Sequence, residues 1–161
     1  MTVDLNTMHS IRALKYATLF ILPLMALASI RIGGWMTFFP LIYSFAIVPF
    51  LELFLKPSEV NMDKVQEQVV KKDKLYDFMV WLTVPIHYGF LFYVLWNLHT
   101  VEWTTLETIG LVTMAGLSCG VIGINVAHEL GHRRTKHERI MAKLLLLTSQ
   151  YMHFYIEHNK G

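Results

Sequence analysis

Charge is what this sequence has least of. Asp, Glu, Lys and Arg make up 16% of its 161 residues, against roughly 25% in an ordinary soluble domain. Cysteine is nearly absent: Cys119 stands alone inside an apolar run. One cysteine allows no internal disulfide and no thiolate cluster, so any metal must be held by histidine and carboxylate. No cleavable leader is expected, because residues 1–10 are polar and no small-residue cleavage site follows the first apolar run. The net charge of +2 gives no support to a nucleic-acid partner.

What the chain does have is apolar length. Hydrophobic residues reach 54%, the mean hydropathy is +0.42, and the charges collect in gaps between long apolar runs, as membrane crossing requires. The pattern predicts an all-α, polytopic membrane protein with four spans, at about 16–30, 35–55, 78–98 and 108–126. The first is short and is followed by Arg31, which must snorkel to the interface. Gly33 and Gly34 read as a tight hairpin between the first two spans. Trp35, Trp81, Trp96 and Trp103 fall at or near span ends, where an aromatic belt would place them.

Lysine and arginine set the expected orientation. Lys56, Lys64, Lys71, Lys72 and Lys74 lie between the second and third spans. Arg133, Arg134, Lys136, Arg139 and Lys143 follow the fourth, and residues 99–107 have no lysine or arginine. The N-terminus, 56–77 and 127–161 are therefore expected in the cytoplasm, with Arg31 the dissenting charge. A further apolar stretch at 144–156 is too short to span alone and suits an interfacial or re-entrant helix.

The chemistry is concentrated in 127–161. His128-Glu129-Leu130-Gly131-His132 puts two imidazoles one turn apart on a helix face. Glu157-His158 follows later. A straight helix over 140–156 would carry His158 about 25 Å away, so that segment must lie along the interface or bend back if the two clusters share a site. His137, His9 and His99 read as surface residues, and His153 as a packed residue or one that supports a ligand. His87, inside the third span beside Pro85, is either functional or a hydrogen-bonded core histidine. Glu52 near the end of the second span either orients a metal-bound histidine or snorkels.

Two chemistries fit the HExxH pair. One is zinc hydrolysis, with His128 and His132 as ligands, Glu129 as base and Glu157 as third ligand. The other is iron oxygenation at a site rich in neutral imidazoles.

The surrounding residues separate these. The run from Asn125 through His128, Glu129 and His132 to Arg134 resembles the first histidine box of the membrane-bound alkane 1-monooxygenases. The run from His153 through Glu157 and His158 to Gly161 resembles the beginning of that family's second box. Leu82–Tyr88 and Val48–Glu52 resemble family segments as well, so the likeness covers about 40–161.

The resemblance implies a bacterial cytoplasmic-membrane enzyme with its metal site on the cytoplasmic side. It implies two irons, with His128, His132 and His158 among their ligands, and Glu129, Glu157, Glu52 and His153 as supporting candidates. The implied reaction inserts one oxygen atom of O₂ into the terminal C–H of an alkane drawn from membrane lipid. Electrons would come from rubredoxin and its reductase. Arg133, Arg134 and Lys136 are candidates for docking that carrier, or simply fix topology and touch anionic lipid. The second box is expected to stop short at Gly161. The chain is then a single incomplete membrane domain over 1–161, a truncated bundle not expected to catalyse the reaction alone.

Overall fold

The computed structural model describes residues 18–55 and 74–160. Among the described residues every regular element is helical. α1 is Ile21–Ile32, entered through a short 3₁₀ turn at Thr18–Phe20. α2 is Gly34–Glu52, α3 is Lys74–Thr100, and α4 is Thr105–Gly131. α5 is Lys136–Thr148 and α6 is Met152–Lys160.

α2, α3 and α4 are long and apolar enough to cross a membrane. They correspond to the second, third and fourth expected spans. The first expected span differs: α1 has 12 residues, about 18 Å of helix, short of a ~30 Å hydrocarbon core. Residues 16 and 17 of that span, and the lysines from 56 to 72, lie outside the described residues. Large apolar side chains such as Leu24, Trp35, Phe45, Phe92 and Leu95 face outward, as lipid-facing positions do.

One end of the bundle is tied together by Glu107. α4 begins with a capping box: Thr104 Oγ1 accepts from the Glu107 amide, and Glu107 Oε2 accepts from the Thr104 amide at 3.0 Å. The other carboxylate oxygen accepts from the Gly34 amide at 2.7 Å. Gly33 and Gly34 have φ of 72° and 57°, which glycine adopts without penalty. The expected hairpin therefore forms and is stitched to the start of α4. Gly110 lets α2 approach, since a Cβ there would fall 2.1 Å from Thr37 Oγ1. At this end Arg31 donates to the Tyr93 hydroxyl at 2.8 Å.

Burial divides into two apolar layers. Ala26, Ile30, Phe90, Val94, Leu111 and Met114 form the one near this end. Val80, Val84, Ile122, Val126, Leu130 and Leu145 belong to the other.

The stretch expected to be interfacial or re-entrant bends back. α5 starts beside the first turns of α3, where Trp81 Nε1 donates to Glu138 at 3.2 Å. It then climbs along α3: the Tyr88 hydroxyl donates to the Leu144 carbonyl at 2.7 Å, and Thr148 meets His87. The chain turns at Ser149 and Gln150, where Gln150 takes φ 54° and the Tyr151 amide returns to the Leu146 carbonyl at 2.9 Å. α6 then descends antiparallel to α5.

Candidate metal centre

α4 delivers the histidine pair. Its hydrogen bonding widens to a π-helix at Cys119–Ile124 before the final α-helical stretch Asn125–Gly131. A π turn holds an extra residue, so it rotates the remainder of α4 by about 100° relative to an unbroken helix. It thus helps set the face on which His128 and His132 emerge. His132 is the residue that closes the helix.

The α5–α6 hairpin delivers the third imidazole. His158 Nε2 lies 2.9 Å from His128 Nε2 and 3.0 Å from His132 Nε2, and the latter two are 3.0 Å apart. The three rings meet edge-on, with centroids 4.6 to 4.9 Å apart. Aromatics of α6 and of the turn before it stack behind this point. Phe154 lies parallel to His158 at 5.0 Å, and Tyr151 parallel to Phe154 at 5.4 Å. Phe154 also approaches His128 at 6.0 Å.

Each Nε2 carries either a proton or a lone pair in its ring plane. Three lone pairs aimed at one point repel unless a cation sits among them, so the arrangement fits three neutral imidazoles around a metal.

The other expected site residues fall around this centre. Glu129 does not join the triad; its Oε1 accepts from Arg133 at 3.1 Å. Arg133 also holds Asp77 at 2.9 Å, tying the end of α4 to the start of α3. Burial alone would lower the Arg133 pKa, but Asp77 and Glu129 outweigh it and hold the guanidinium above its ordinary value. Glu157 is exposed and lies outside the histidine cluster. Glu52 is exposed at the end of α2. His153 packs edge-on against Tyr151 at 4.5 Å, and His137 against Trp81 at 5.3 Å. Arg134 and Lys136 are exposed.

Sequence reasoning missed two supports. Glu138 is 5% exposed and bonds both Trp81 and Thr135; the Thr135-x-x-Glu138 spacing was the available signal. Ser118 and Thr148 bond the two nitrogens of His87, and no local pattern marks them as partners.

Curated relatives match over most of the chain. Alkane 1-monooxygenase 1 of Alcanivorax borkumensis is 33% identical over 141 residues, 86% of this chain and 35% of that protein. The alkane 1-monooxygenases of Pseudomonas putida and Ectopseudomonas oleovorans are 32% and 33% identical over 130 residues, 80% of this chain and 32% of each of theirs. The chain is a relative of the alkane 1-monooxygenases. It spans about a third of the length of these curated relatives. No protein-family model matches it.

Proposed function

We propose that this protein is a non-haem di-iron monooxygenase that hydroxylates the terminal carbon of alkanes, with His128, His132 and His158 holding one iron. The observation that carries the reading is the convergence of three Nε2 atoms at 2.9 to 3.0 Å. Bound iron would supply O₂ activation, delivering one oxygen atom to the alkane and the other to water. A second iron needs ligands beyond these three, and among the described residues no other such group gathers.

The chain's own residues hold and orient this half-site. The stack of Tyr151, Phe154 and His158 fixes the third imidazole. Asp77 and Glu129 hold Arg133 and so brace the helix end that carries His132. That is the supporting role we assign to Glu129. Glu157, Glu52 and His153 remain candidates for support by further ligands. Alkane, which partitions into lipid, would reach the site from the bilayer.

Electrons would come from rubredoxin and its reductase. Arg133 is spent on its two carboxylates, so docking falls to the exposed Arg134 and Lys136. The site would face the cytoplasm from a bacterial cytoplasmic membrane, in keeping with the lysine and arginine distribution. In the zinc-protease alternative Glu157 was the third ligand, whereas His158 is the residue beside the pair; three imidazoles suit zinc as well as iron, so the preference for iron rests on the likeness to the alkane 1-monooxygenases.

The test is product formation by the protein expressed from its own gene, supplied with rubredoxin, its reductase, O₂ and n-octane. The reading expects 1-octanol, lost in His158→Ala. Octanol yield unchanged by His158→Ala would overturn it.

A further inference from the structure

Between the two apolar layers lies a small polar cluster that the metal centre does not use. His87 is 0% exposed and Ser118 1%. The His87 ring nitrogens face hydroxyls on two other helices: Nδ1 is 3.3 Å from Ser118 Oγ of α4, and Nε2 is 3.1 Å from Thr148 Oγ1 of α5. The Thr148 hydroxyl already donates to the Leu145 carbonyl at 2.6 Å. It can therefore only accept from His87, which assigns the proton to Nε2 and leaves Nδ1 to accept from Ser118. The network is complete for a neutral imidazole, and among the described residues no buried side-chain polar atom lacks a partner.

The position of this cluster gives it a consequence. Thr148 is the last residue of α5, directly before the turn that sends α6 back to the histidine pair. Gly123 makes the room: a Cβ there would fall 3.2 Å from Thr148 Oγ1 and 3.4 Å from His87 Nε2. The Cys119 thiol lies 3.7 Å from the Thr148 carbonyl. In apolar surroundings a hydroxyl–imidazole bond has no water to compete with it, and leaving either partner unpaired is costly. The bond therefore fixes the tip of the hairpin in both depth and register.

We propose that His87, Ser118 and Thr148 form a polar pin that positions His158, making them positioning residues for the metal centre rather than ligands of it. The role of His158 rests on the proposed metal centre; the pinning of α6 does not.

The experiment uses the chain in lipid nanodiscs, with Cys119→Ala throughout and nitroxide labels on cysteines replacing Arg134 and Ile156. Both of these residues are exposed. Pulsed dipolar spectroscopy then reads how tightly α6 is held against the end of α4. A narrow distance distribution is expected without further change and in Thr148→Ser, which keeps the hydroxyl. A broadened one is expected in Thr148→Val, which keeps the shape and loses the hydroxyl, and in His87→Phe. Unlabelled samples are titrated with cobalt(II), and Thr148→Val is expected to weaken binding about tenfold, with Thr148→Ser restoring it.

Equally narrow distributions in Thr148→Val and His87→Phe would overturn the pin. Broadening in those variants, with no cobalt bound by the unsubstituted chain, would uphold the pin and remove the metal centre.

Discussion

His158 Nε2 lies 2.9 Å from His128 Nε2, although they sit on different helices and 30 residues apart. The contact exists because α5 climbs along α3, the chain reverses at Gln150, and α6 descends. The proposed chemistry depends on this return.

The first prediction separates the two neighbours at the end of α6. His158→Ala removes one of three converging nitrogens and is expected to lower cobalt(II) affinity at least about tenfold. Glu157→Gln, outside the cluster, is expected to leave it unchanged. Isothermal titration of the purified chain checks both. Equal losses in the two variants would return Glu157 to the site.

A second prediction concerns Glu107. Thr104→Ala removes one member of the capping box and is expected to cost about 1 kcal/mol. Glu107→Ala removes the other member together with the bond to the Gly34 amide, so its cost should be larger. Unfolding titrations in mixed detergent would rank the two variants, and the reverse order would deny Glu107 its role as the stitch between α2 and α4.

Gly110 supplies a third. A methyl group there collides with Thr37, which is 0% exposed and has no room to move. Overpacking of this kind costs about 1–3 kcal/mol, against the roughly 1 kcal/mol that alanine gains over glycine inside a helix. Gly110→Ala should therefore lower the thermal midpoint in detergent, whereas Gly116→Ala, with open space around it, should not.

The hairpin turn supplies a fourth. Gln150 holds φ 54°, a conformation that costs an L-residue about 1–2 kcal/mol. Gln150→Gly relieves it and should raise the thermal midpoint, with cobalt(II) binding intact. A lowered midpoint would mean that the Gln150 side chain contributes more than its backbone costs.

Local features were legible in the sequence. Hydropathy located α2, α3 and α4, two glycines located the hairpin, and one-turn spacing located the His128–His132 pair. The return of His158 was legible only as a condition, because a turn made by Ser149 and Gln150 carries neither glycine nor proline to announce it. The π-helical stretches at Tyr43–Ile47 and Cys119–Ile124 leave no mark in composition, although the second helps set the face on which His128 and His132 emerge. Glu138 reads as one more charge in a basic run until Trp81, far away in sequence, is seen to bury it. Glu129 and Arg133 were read separately, as a support for an imidazole and a docking charge. Their pairing one helical turn apart was available from spacing alone. The hydrogen-bonded alternative for His87 proved to describe its surroundings, but Ser118 and Thr148 become its neighbours only through tertiary packing.

Metal analysis of the protein purified from cells expressing its own gene tests the central claim most directly. The account predicts bound iron with little zinc, and loss of that iron in His128→Ala, His132→Ala and His158→Ala but not in Glu157→Gln. A single zinc per chain, retained in His158→Ala and lost in Glu157→Gln, would contradict it.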